Sequence, residues 1–164
     1  TMIQNREYAK ESLILCDRLW PIRSVAGSKD HVGDPSLESK VLSAVTGEEV
    51  DEEGLYRIGE RAVNMQRAIL TREARGSDVL PESHFTLPLR NVLGNPAAIA
   101  PGKGGEIFVN KNAMLDRGKF EEMKREFYQL RGWDEATGLQ TKAKLEELEL
   151  GDIAEDLMQR GLLA

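Results

Sequence analysis

The stretch from Asp51 to Arg72 constrains the fold more than any other. It opens with an aspartate at a helix N-cap position, and Leu55, Ile58, Ala62, Met65 and Ile69 then recur at spacings of three and four. That spacing predicts a long helix with those five residues turned inward. Gly59, Val63, Gln66 and Leu70 lie beside the stripe, so the apolar arc is wide and the helix is expected at the centre of a bundle. Gly59, with no Cβ, would admit a close backbone approach there.

Shorter elements follow the same logic. Residues 3 to 19 read as a helix with Tyr8, Ser12, Leu15, Cys16 and Leu19 on one face, stopped where Trp20 precedes Pro21. Residues 21 to 33 read as a loop. Asp34 followed by Pro35 signals a helix start. That helix runs to about Val45 with Leu37, Val41, Ala44 and Val45 inward, and Gly47 closes it. Arg117 to Arg131 carries the stripe Phe120, Met123, Phe127 and Leu130, with Gly132 at the stop position. Thr141 opens a short helix burying Leu145 and Leu148. Asp152 and Glu155 are spaced as a capping box for a last helix burying Ile153, Leu157 and Met158.

Between these, residues 74 to 115 hold prolines and glycines and no helical period, an excursion of a length that is usually functional, disordered or docked on something else. Pro101 to Val109 is compatible with a small hairpin. Its Gly-Lys-Gly-Gly lacks the spacing and the following Ser or Thr of a phosphate-binding loop. The expected fold class is therefore all-α, an irregular multi-helix bundle in a single domain over residues 1 to 164. It carries a long loop excursion with a possible small hairpin.

Composition narrows function mainly by exclusion. With 28 acidic against 22 basic residues and a formal net charge of −6, the chain has no basic footprint for nucleic acid. No apolar run nears the roughly 20 residues of a membrane span. A lone cysteine excludes an internal disulfide and suggests a reducing, cytoplasmic setting.

Self-contained catalytic machinery is not evident. His31 and His84 fall in predicted loops, away from ligand spacing to Cys16 or to each other, and read as exposed or structural. Cys-x-x-Cys, HExxH and GxSxG patterns are absent. Cys16 is either a packed thiol or one ligand of a site completed from elsewhere.

Several stretches change this picture together. Glu126-Phe127-Tyr128-Gln129-Leu130 followed by Arg131-Gly132-Trp133-Asp134 through Leu145 resembles the closing segment of the aldehyde ferredoxin oxidoreductase family, which reads approximately YY-x-LRGWD-x-x-G-x-P-x-x-x-KL. Ile58-Gly59-Glu60-Arg61-Ala62-Val63-Asn64-Met65-Gln66-Arg67 resembles the family's GERI-x-N-x-x-R, and Asp78-Val79-Leu80-Pro81 follows at a fitting distance. The likeness spans nearly the whole chain in order. It implies that the opening stretch corresponds to a D-x-x-G-L-C motif. Cys16 would be one of four thiolates on a 4Fe-4S cluster, and Glu11 and Leu15 would contact a tungsten (or molybdenum) pterin.

Two departures stand out, Glu11 for aspartate and Ile14 for glycine. The resemblance further implies that Asp17 and Arg18 lie near the cluster or pair on the surface, and that Trp20 and Pro21 pack. Arg131, Trp133 and Asp134 would be structural: a helix-end anchor, a gap filler and a cap.

As a whole, it implies the C-terminal domain of an enzyme that oxidises aldehydes to carboxylic acids and passes electrons to ferredoxin. The N-terminal cofactor-binding part of the enzyme would be its partner. The isolated chain would then be inactive and colourless. A helical interaction module without redox function, docking through residues 74 to 115, is the alternative. A regulatory helical domain has no specific residue behind it.

Overall fold

The computed structural model describes residues 1–16, 33–74, 78–89, 99–110 and 112–164. The expectations for Asp17, Arg18, Leu19, Trp20, Pro21, the following loop and His31 lie outside these residues. The described chain is mostly helical, as its composition and periodicity predict. The helices are α1 (Met2–Ser12), α2 (Leu37–Thr46), α3 (Glu52–Arg72), the single turn α4 (Ser83–Thr86), α5 (Arg117–Arg131), α6 (Lys142–Glu147) and α7 (Gly151–Gln159). A two-stranded antiparallel hairpin, β1 (Ile99–Pro101) and β2 (Ile107–Val109), pairs Ile99 with Val109 and Pro101 with Ile107.

Two compact units divide these elements: Thr1–Ser77 with Tyr128–Ala164, and Asp78–Phe127. In the smaller unit, Phe85 meets Phe120 edge to face at 5.7 Å, and the Arg117 guanidinium stacks over Phe85 at 4.0 Å. The amide of Leu89 donates to Ala113 O at 2.8 Å. The expected hairpin is present, with Lys103–Gly105 as its turn. His84 sits on the short α4, exposed, rather than in a loop.

In the larger unit α3 is the axis. Its cap forms as expected, Asp51 Oδ1 accepting from the Gly54 amide at 2.8 Å. The face it buries is not the predicted one. Leu55, Gly59, Val63, Asn64, Arg67, Ala68 and Thr71 are inside, whereas Ile58, Met65 and Ile69 are 40%, 46% and 51% exposed. Asn64 Oδ1 and the Arg67 guanidinium both find polar partners on neighbouring elements, so this face hides groups that a hydrophobicity count places outside.

Similar shifts occur elsewhere. α2 buries Glu38 and Ser39 and leaves Ala44 and Val45 outside, because Glu38 receives Arg6 from α1 at 2.8 Å. Asp34 makes a turn with the Ser36 amide and hydroxyl, and the helix starts at Leu37, two residues past Pro35. α5 buries Tyr128 and Arg131, with Met123 and Leu130 exposed. α7 starts after Leu150 with no side-chain cap, so Asp152 lies inside the helix and no capping box forms. It buries Ala154 and Leu157 and exposes Met158.

The apolar centre joins Ala68, Leu145, Leu148, Leu150, Ala154 and Leu157, with Ile153, Leu162 and Leu163 packed around it. Its geometry depends on the end of α6. Glu149 adopts φ 58° and the Leu150 amide returns to Leu145 O at 2.8 Å, turning the chain into α7. The Glu149 carboxylate faces outward to Arg61 at 2.8 Å and Arg57 at 3.5 Å.

Candidate functional site

α1 ends at Ser12, well short of the Leu19 that periodicity suggested. The ending is a Schellman turn: Ile14 N–H donates to Glu11 O at 3.0 Å, Leu15 N–H donates to Lys10 O at 3.2 Å, and Ile14 takes φ 58°. That position favours glycine, and a β-branched residue there costs about 1–2 kcal/mol. Ile14 stands where the resembling motif has its glycine, so the residue departs from the pattern while the backbone adopts the conformation a glycine takes freely.

Ile14 is 92% exposed and does not wall off the turn. Leu15 is half-buried, and Glu11 and Cys16 are exposed. Cys16 is a free thiol on the segment leaving the helix, which removes the packed-thiol reading and the predicted inward face of Ser12 and Cys16. Thus Glu11, Ile14, Leu15 and Cys16 lie together on one turn.

Strong contacts hold this turn's helix in place. A Cβ on Gly59 would lie 1.8 Å from Asn5 O, so α1 and α3 touch backbone to backbone, as the glycine predicted. Ala9 and Lys10 are buried, and the Lys10 ammonium pairs with Glu7. Arg131, at the end of α5, is fully buried and reaches the side chains of Gln4 and Asn5 and the carbonyl of Thr1. Burial lowers the pKa of its guanidinium, opposed by Glu60 and Tyr8.

The segment after Arg131 forms a lock around Asn64. Gly132, at φ 65°, ends α5, and Trp133 N–H returns to Tyr128 O at 2.9 Å. Trp133 then pairs with Gln140 as an isolated antiparallel bridge. Asn64 Oδ1 accepts Trp133 Nε1 at 3.0 Å and Gln140 Nε2 at 2.7 Å. Arg67 donates to Gly138 O at 2.9 Å and lies 4.9 Å from the Trp133 ring. Asp134 caps the turn between them, and hydrogen bonds from the Thr137 hydroxyl and amide hold its carboxyl below the usual range. Thr141 caps α6 as expected, accepting from Lys144 N–H, and its hydroxyl donates to Gly132 O at 2.7 Å.

Arg131, Trp133 and Asp134 are thus an anchor, a buried filler and a cap. Asn64, Arg67 and Gln140 were not singled out from the sequence. The signal for the first two was their place in the GER-x-x-N-x-x-R run, one helical turn apart.

Among the described residues no group of three or more His, Cys, Asp and Glu side chains is arranged to hold a metal ion, and no helix is long and apolar enough to cross a membrane. An accessible thiol on a fixed turn fits a donor that contributes one bond to a centre completed by other residues. Residues 1–150 match the family model described as aldehyde ferredoxin oxidoreductase, domains 2 and 3, and the chain belongs to that family.

Proposed function

We propose that the chain is the C-terminal helical part of an enzyme that oxidises aldehydes to carboxylic acids, and that it contributes one wall of the cofactor site. The family match over residues 1–150 carries this reading. The left-handed turn at the motif's glycine position, with a free and exposed thiol two residues on, supports it.

In this reading Cys16 supplies one thiolate to a 4Fe-4S cluster, and Glu11 and Leu15 lie against a tungsten or molybdenum pterin. The family's N-terminal cofactor-binding part provides the remaining contacts. The overall reaction takes an aldehyde and water to a carboxylate, three protons and two electrons, which leave singly to ferredoxin. When bound, the pterin metal and cluster supply the redox chemistry. This chain's part is to fix the direction of the thiol through the Schellman turn and the buried anchor at Arg131.

The test is co-expression with the cofactor-binding part, followed by metal analysis. Wild type should co-purify with iron and pterin metal, and Cys16→Ser should lose iron. Undiminished iron in Cys16→Ser overturns the assignment. The chain alone should be colourless; an iron–sulfur absorbance that disappears in Cys16→Ser would overturn that expectation while leaving Cys16 a ligand.

A further inference from the structure

Lys10 carries the only fully buried charge of α1. Its side chain is 0% exposed, against 19% for Arg6 and 37% for Glu7, and Glu11 is exposed. Taking an ammonium out of water is unfavourable, so a buried lysine needs partners, and an apolar side chain would fill the place without that penalty. Lys10 pairs with the Glu7 carboxylate, and Arg6 joins Glu7, at 2.9 Å, to the buried Glu38 of α2, at 2.8 Å. Charges of alternating sign, Glu38, Arg6, Glu7 and Lys10, thus bring a fixed ammonium to the last turn of α1.

That turn leads into the thiol. Lys10 O accepts the Leu13 and Leu15 amides at 3.1 and 3.2 Å, and Cys16 follows Leu15 directly, its Cα about 3.8 Å beyond. A buried charge is screened much less than one facing water. The Lys10 ammonium therefore acts over a longer range than the half-exposed Glu7 carboxylate that pairs with it. An iron–sulfur centre gains one negative charge on reduction, and net charge is among the factors that set its potential. We propose that Lys10 is a positioning residue for the centre that Cys16 ligates, holding at the base of the thiol's turn a positive charge that favours the reduced state. The inference rests on the assignment of Cys16 as a ligand.

The test is a redox titration of the chain co-expressed with the cofactor-binding part, read by the electron paramagnetic resonance signal of the reduced cluster. Lys10→Met keeps an unbranched side chain and removes the charge, and the midpoint potential should fall. Lys10→Arg keeps the charge and should hold the midpoint near wild type. Glu7→Gln removes the opposing charge at a half-exposed position, so the fold should be retained and the midpoint should rise. Iron content should match wild type in all three. A midpoint unmoved by both Lys10→Met and Glu7→Gln overturns the inference. A fall in Lys10→Arg as large as in Lys10→Met also overturns it, since packing and not charge would then govern the site. Should Lys10→Met fail to fold, Glu7→Gln decides alone, and an unmoved midpoint there overturns the inference. Undiminished iron in Cys16→Ser is a separate result, which removes the ligand assignment and this inference with it.

Discussion

Gly59→Ala separates two forces that predict opposite signs. In an exposed helix interior, alanine for glycine stabilises by about 1 kcal/mol. At position 59 the new Cβ would lie 1.8 Å from Asn5 O, 2.7 Å from Asn5 C and 3.0 Å from Ala9 N, all backbone atoms of α1 that no rotamer change can move. α1 must therefore step away from α3. Overpacking of this kind costs about 1–3 kcal/mol, and rigid neighbours put it at the upper end. The net loss is about 2 kcal/mol, a fall in Tm of roughly 4–8 °C for a chain of this size. Thermal unfolding followed by circular dichroism measures it, and limited proteolysis should show α1 released first. An unchanged or raised Tm would refute the reasoning, since propensity alone would then govern the site.

Asn64→Ala strands the buried Trp133 indole N–H and leaves Gln140 Nε2 only the backbone carbonyl of residue 64, and should destabilise by about 2–4 kcal/mol, read as a lower urea midpoint at constant slope. A loss under about half a kcal/mol would show that water replaces the amide. Ile14→Gly should do the reverse and stabilise by about 1 kcal/mol, because the left-handed turn at φ 58° no longer carries a β-branched residue. Destabilisation would show that the isoleucine side chain contributes more than its backbone costs. Burial and the Glu52 carboxylate, 2.6 Å away, push the Tyr56 phenol up to about 12 from an ordinary 10.0. Its contribution to stability is therefore fully present below pH 10 and is lost as pH rises through about 12. Ultraviolet titration should show a tyrosine step ionising near pH 12, and Tyr56→Phe should remove that late step. A titration curve that Tyr56→Phe leaves unchanged at high pH would contradict the partly buried hydrogen bond to Glu52.

Helix starts and stops encoded by backbone chemistry were legible in the sequence. Asp51, Thr141, Gly47 and Gly132 act within a turn of themselves, and the bounds of α3 and α5 followed from them. Which side of a helix faces in was less legible. α3 is apolar around much of its circumference, so the residues of strongest periodicity, Ile58, Met65 and Ile69, are the ones left outside. The buried side includes Asn64, Arg67 and Thr71, and Asn64 and Arg67 meet partners distant in sequence. α1 was overextended because Leu15, Cys16 and Leu19 continue the period beyond a stop held by a non-glycine at positive φ. Ile14 gives no local sign of such a stop. For the candidate site, the resemblance singled out Glu11, Leu15 and Cys16, and the turn that groups them became visible only in the backbone.

α7 gives the fold a boundary different from that of the family match. The match ends at residue 150, yet Ala154 and Leu157 complete the apolar centre, Leu162 and Leu163 pack around it, and Ala164 N–H donates to Gln140 O at 3.0 Å. The last fourteen positions therefore act as a clasp, closing over Leu145 and Leu148 and fastening back onto Gln140 in the bridge to Trp133. A polypeptide trimmed to the matched span would carry every residue of the recognisable motifs and lack the piece that shields them from water. In this chain, the matched span and the unit that folds are not the same length.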